Sequence, residues 1–190
     1  MELIGSDTSP YVRRIRLLLA EQAHTYTSLD IYSEGRAALA EKTPIMKIPV
    51  LIDNERTLYD SRVIARYLCE THSIGEPLSW DQENLLSLID GAQDSLITLL
   101  LSQRSGIDTD TDTLFYRLQK ERISQSMAVL EEKARQGEFT NWNYPAICLF
   151  TLIDWASFRN LINLDDYPFL KSFRASHTKQ KGVIETDPRG

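Results

Sequence analysis

Ser9, Pro10, Tyr11 and Val12 stand between a short apolar run at Leu3 and Ile4 and a segment that opens with Arg13, Arg14 and Arg16. With cysteines at both ends, a tetrad of this kind would exchange disulfides, because a thiolate can attack and a thiolate can leave. A serine and a valine hold those ends here, so the turn cannot run that chemistry with its own atoms. Ser9 keeps a hydroxyl at a helix start. It can cap free backbone N–H groups, or donate a hydrogen bond to an anion held at the positive end of the helix. Pro10 suits the first helical position, where a missing N–H costs nothing. Tyr11 and Ser6 bring further hydroxyls to the same turn.

The elements that must position this turn come from a chain of 190 residues that is 42% hydrophobic and carries a formal net charge of −6. That length allows one large domain or two small ones with a real core. The acidic balance gives no electrostatic reason to expect nucleic acid or an anionic membrane as partner. The two cysteines, Cys69 and Cys148, are too far apart for a CxxC pair or a zinc spacing and are expected to be buried packing residues. Asp108, Asp110 and Asp112 start like a calcium loop. Thr113 then stands where the tight turn needs glycine and Gln119 where the closing glutamate belongs, so the run reads as a solvated interhelical loop and no metal is expected. The arginines break up any secretory signal in the first twenty residues, and no run approaches the roughly 20 apolar residues that span a bilayer. A cytoplasmic location is the expectation.

Strand-like and helix-like pieces alternate up to residue 73, whereas residues 80–190 show long helical periodicities and no strand pattern. Strands are expected over Glu2–Gly5, Tyr26–Ile31, Pro49–Asp53 and Arg56–Leu58. Helices are expected after Ser9, over Glu34–Lys42, and from Asp60 and Ser61 to His72. This order, βαβαββα, predicts an α/β N-terminal domain of the thioredoxin-like kind, a parallel crossover half followed by an antiparallel hairpin and a covering helix. Residues 74–79, with Gly75 and Pro77, form the expected linker. An all-α helical bundle follows, with helices over Trp80–Gln103 and Thr113–Gln136. A third helix is expected to start near Thr151, where Thr151 and Asp154 have capping-box spacing, and a short one over Pro168–Ser176. The last dozen residues read as a loose tail or strap.

The segments SPYVRRIRLLL at 9–19, KIPVLID at 47–53 and LYDSRVIARYL at 58–68, with TLID at 151–154, make this chain resemble the cytosolic glutathione S-transferase family, bacterial type, with a serine-type N-terminal motif. The likeness covers essentially the whole chain. It implies glutathione as co-substrate, with a cis Pro49 whose preceding residue, Ile48, pairs through its backbone with the cysteinyl part. Asp60 and Ser61 match the acidic or amide residue and the serine that hold the γ-glutamyl end. Lys47 offers a charge to a glutathione carboxylate, and Met46 stands where many relatives have glycine. Arg13 and Arg14 either raise the local positive potential or cover the helix flank.

Ser9 is the expected donor to the glutathione thiolate, with Tyr11 as the alternative. The expected pocket for a small electrophilic second substrate lies near Tyr11, Leu100 and Arg104. The reading is a transferase that conjugates glutathione to that electrophile in a detoxification role. The alternative is a transferase-like binding or regulatory protein with vestigial or no catalysis. Relatives of this kind are usually homodimers, for which Arg62 and Arg66 could meet Asp90 and Asp94 across the axis.

Overall fold

In the computed structural model, which describes residues 1–190, four short segments pair into one sheet. They are β1 (Glu2–Gly5), β2 (Thr25–Ser28), β3 (Val50–Asp53) and β4 (Arg56–Tyr59), in spatial order β2-β1-β3-β4. β1 and β2 run parallel, while β3 is antiparallel to both β1 and β4. A parallel pair needs a crossover, supplied by helix α1 (Pro10–Leu18). Helices α2 (Gly35–Lys42) and α3 (Ser61–His72) complete the expected βαβαββα order. The second strand is shorter than its Tyr26–Ile31 expectation. The Asp30 carboxylate accepts from the Tyr32 N–H and the Ser33 hydroxyl, and Gly35 N–H donates to Asp30 O, so the chain turns before a longer strand can pair.

Leu3, Val50 and Leu51 from the sheet, Val12 and Ile15 from α1, and Ile64 and Leu68 from α3 are fully buried. Consecutive strand residues are buried, Leu3 beside Ile4 and Val50 beside Leu51, so both faces of the sheet are covered. At the far end of β3 the Asp53 carboxylate accepts from the Tyr67 hydroxyl (2.9 Å) and lies 2.7 Å from His72 Nε2, tying α3 to the sheet. Burial alone would raise the Asp53 pKa, but the bonds from His72 and Tyr67 and the His72 charge outweigh it, and the carboxyl is held below its usual range.

The chain divides into two compact units, Met1–Pro77 with Thr178–Gly190, and Leu78–His177. The last thirteen residues therefore differ from the expectation of a tail on the helical half: they pack on the first unit. The reason lies at α1, where Val183 is buried and Gly182 sits so close to Ala20 that an added Cβ would come within 2.8 Å of its Cβ.

The second unit contains α4 (Trp80–Arg104), α5 (Leu114–Arg135), α6 (Tyr144–Phe158) and α7 (Pro168–His177). A reciprocal capping box opens α4: Gln82 N–H donates to Ser79 Oγ, and Ser79 N–H donates to Gln82 Oε1. By length and composition α4 could cross a bilayer, contrary to the reading that no run approaches that length. Leu86, Ile89, Ala92 and Leu96 are buried in the unit, as in the core helix of a bundle. The expected helix start at Thr151 is also corrected. α6 begins seven residues earlier, with the Asn143 side chain accepting from Ala146 N–H at 3.2 Å and Pro145 in its first turn.

Thr151 lies inside α6 and donates to Cys148 O. Asp154, 2% exposed and also inside α6, takes a charged bond from Arg174 at 2.6 Å. The helix is buried on nearly every side, so its first half shows no amphipathic stripe to mark the start. Glu131 of α5 closes α7 by accepting from the Phe169 and Leu170 N–H groups, each at 2.8 Å. Cys148 is buried as expected, but Cys69 is only half-buried on α3. In the loop between α4 and α5, Asp110 pairs with Lys120 and Asp112 with Arg117.

Replacing Asn143 by alanine should cost about 1 kcal/mol in urea unfolding, the usual value of a helix cap. Asp53 gives a pH test. Its folded pKa lies below the unfolded value of 3.8, so its contribution is fully present above that pH and is lost as pH falls through the folded value. An Asp53→Asn variant should be less stable than wild type at neutral pH, and the gap between their melting temperatures should close on acidification.

Candidate functional site

The register of the sheet brings three chain reversals to one end. Ile4 faces Val50 across the β1–β3 pair, and Val50 faces Tyr59 across the β3–β4 pair. The close of β1, the start of β3 and the close of β4 are therefore neighbours. Beyond them lie Ser9, the Ile48–Pro49 bond, and Asp60 with Ser61. Two strand spacings make this edge about 10 Å wide, and an extended tripeptide spans about 10 Å.

Ser9 is half-buried with extended backbone (φ −84, ψ 124), and its Oγ accepts from Val12 N–H at 3.3 Å. Its carbonyl accepts the first helical bond, from Arg13 N–H at 3.0 Å. A hydroxyl has two lone pairs and one proton. Capping uses a lone pair and leaves the proton to donate, so cap and thiolate donor are compatible roles. Val12 is fully buried against Gly5, where a Cβ would come 2.3 Å from Val12 Cγ2. Glycine at the end of β1 is what admits a branched side chain at position 12, whose role is packing. The Arg14 guanidinium lies 4.7 Å from the Tyr11 ring centroid, which marks the half-buried ring as part of the wall of the turn. Ser6 Oγ is 3.5 Å from Thr8 Oγ1, within the preceding loop.

The Ile48–Pro49 peptide bond is cis, as the resemblance implied. Pro49 is buried, Ile48 half-buried and Lys47 exposed. Met46 has φ 53, the left-handed region in which glycine is at ease. Asp60 also has positive φ, 79, and its Oδ1 accepts from both Arg62 N–H (2.9 Å) and Val63 N–H (3.3 Å). Aspartate is one of the few residues that tolerate such a backbone when a local bond compensates. Both cap bonds fall on Oδ1, so Oδ2 has no part in them. Ser61, at the first position of α3, is 4% exposed. Leu100 is half-buried and Arg104 exposed near the end of α4, in the helical unit.

A charged network supports the turn from behind. Asp7, in the loop before Ser9, pairs with Arg16 at 2.7 Å and accepts from the Ser28 hydroxyl at 2.6 Å. Burial raises the Asp7 pKa, but the Ser28 hydroxyl, the neighbouring Tyr26 phenol and the Arg16 guanidinium together pull it below the ordinary range. Tyr26 is pushed up to about 12 by burial and the Asp7 charge, and Arg16 lies over its ring at 4.2 Å.

Arg13 and Arg14 are neither surface cover nor a solvated positive patch, since they are 3% and 0% exposed. Arg13 donates from Nη2 to Val183 O (3.0 Å) and from Nε to Thr186 Oγ1 (3.1 Å). Sequence reasoning missed these partners because they lie some 170 residues away. The available signal was an arginine on the helix face that also carries Leu17.

Comparison with known proteins agrees with this geometry. Residues 3–77 match the family model of the glutathione S-transferase N-terminal domain. The chain is similar to YibF of Escherichia coli K12, an uncharacterized GST-like protein, with 28% identity over 173 residues that cover 85% of this chain and 84% of that one. A glutathione S-transferase from Methylobacillus flagellatus, solved with glutathione bound, superposes with a TM-score of 0.85 at 20% identity over 98% of both chains. A glutathione transferase family member from Pseudomonas fluorescens Pf-5, also solved with bound glutathione, gives 0.82 at 28% identity over 98% of both. The fold is that of the glutathione transferases, a thioredoxin-like domain joined to an all-helical one.

Proposed function

We propose that this protein is a glutathione transferase that holds the glutathione thiolate with Ser9 and conjugates it to a small electrophile. The observation that carries the reading is the convergence of Ser9, cis Ile48–Pro49, Asp60 and Ser61 at one sheet end about one tripeptide wide. Glutathione lies along that edge as a short added strand. Its cysteinyl part pairs with the backbone of Ile48, and main-chain recognition of this kind orients a peptide without regard to its side chains. The γ-glutamyl carboxylate takes the Ser61 hydroxyl and the start of α3, and its ammonium takes Oδ2 of Asp60. Lys47 meets the glycyl carboxylate.

The Ser9 hydroxyl donates to the sulfur, supported by the positive end of α1. Lowering a thiol pKa by about 2 units requires about 2.7 kcal/mol of preference for the charged form, within the range of one charge-assisted hydrogen bond and a helix terminus. The thiol proton leaves to water. The sulfur lone pair then forms the S–C bond as the electrophile's leaving group departs, or as its π electrons move onto an activating group. Tyr11, half-buried beside Ser9, forms the wall along which the electrophile approaches the sulfur. A homodimer in the cytoplasm completes the reading. For the homodimer, sedimentation should give the mass of two chains.

Ser9→Ala is the direct test. Wild type should bind glutathione in calorimetry and show thiolate absorbance near neutral pH. The variant should bind within a few-fold of wild type, require a pH about 1 unit higher for the same thiolate fraction because the α1 terminus remains, and conjugate an aryl halide about tenfold more slowly. An unchanged thiol pKa and rate would remove Ser9 from the role.

A further inference from the structure

The segment 182–186 crosses α1 through contacts that are short, buried and mutually dependent. Val183 O and Thr186 Oγ1 both accept from the Arg13 guanidinium. Thr186 Oγ1 in turn donates to Gly182 O at 2.7 Å, which closes the segment on itself and orients its hydroxyl toward Arg13 as acceptor. Gly182 has φ 84 and packs against Leu17 and Ala20, with no room for a Cβ. Arg16 Nη2 reaches Glu185 O at 3.4 Å while its Nη1 holds Asp7. Val183 and Thr186 are both 5% exposed.

A guanidinium buried to this degree demands partners for its N–H groups, since an unpaired one carries a large desolvation cost. Val183 O and Thr186 Oγ1 are two of the acceptors that meet that demand. Arg13 is also the residue whose backbone N–H donates to Ser9 O, so its main chain forms the first helical bond behind the candidate nucleophile-binding hydroxyl. Arg16 extends the same hold to the loop before Ser9 through Asp7.

We propose that residues 182–186 are a positioning strap for Ser9, acting through Arg13 on the start of α1 and through Arg16 and Asp7 on the preceding loop. Thr186 and Arg13 are positioning residues that touch no substrate. The catalytic part of the proposal rests on the glutathione transferase reading given above; the mechanical part, that the strap holds the Ser9 turn, does not.

The experiment compares wild type, Thr186→Val, Thr186→Ser and Ser9→Ala in two measurements. Amide hydrogen exchange without ligand reads the turn itself, at Val12 N–H and Arg13 N–H. Thr186→Val should speed exchange at both by about tenfold, while the amides of α3 stay as in wild type. Thr186→Ser, which keeps the hydroxyl, should restore protection. Unchanged exchange in Thr186→Val, or loss spread evenly over the whole unit, would overturn the strap. The pH titration of the bound glutathione thiol reads the consequence. Thr186→Val should raise the thiol pKa part of the way toward the Ser9→Ala value and lower kcat while leaving glutathione affinity within about twofold. A thiol pKa equal to wild type would overturn the catalytic consequence. If wild type itself fails to acidify glutathione, the functional reading fails, and the exchange measurement still decides the strap.

Discussion

The antiparallel pairing of β1 with β3, Ile4 opposite Val50, is the constraint from which the rest of the first unit follows. Because β3 also pairs antiparallel with β4, the chain reverses three times at one end of the sheet. A one-residue slip in either pair would exchange the side chains of that strand's two faces, and with Leu3, Ile4, Val50 and Leu51 all buried both faces would have to repack. Hydrophobic burial thus fixes the register, and the register places a helix start, a cis proline and a second helix start side by side. The polar chemistry of the edge depends on apolar packing beneath it.

Buried charge is handled by one logic in both units. Arg13 meets a carbonyl and a hydroxyl from the segment that closes over it, and Asp154 of α6 meets Arg174 of α7. Each such group is costly alone and acceptable when paired, so each ties distant parts of the chain together with directional bonds. Glu131 does related work at the start of α7, where a side-chain carboxylate meets N–H groups that no residue of that helix could satisfy. These bonds add orientation to cores that hydrophobic contact alone would leave free to slide.

Much of the fold was legible in the chain itself. The alternation of short apolar runs with helical stretches yielded the order βαβαββα, and Ser9 with Pro10 marked a helix start that the structure shows with its hydroxyl in place. The cap at Asp60 follows from residue type as well. Reading failed where burial is complete on all sides. The first half of α6 has no polar face, so no stripe marks its start at Asn143, while Thr151 and Asp154 keep capping-box spacing inside the helix. A helix start announces itself by a polar cap before an amphipathic stripe, and here the stripe is absent.

Local chemistry, then, was determined by the sequence alone: a hydroxyl without a thiol at position 9, a proline before β3, an acid and a serine before α3. Those are properties of residues and near neighbours, and a neighbour is always present. Tertiary structure decided which of these groups share an edge, and that Arg13 and Arg14 go inward. It also decided that residues 182–186 return to α1. An arginine reads as surface until acceptors are brought to it, and Val183 O and Thr186 Oγ1 arrive from some 170 residues away. Contacts at that separation have no local signature, because closing the long loop between them costs entropy that no near neighbour repays.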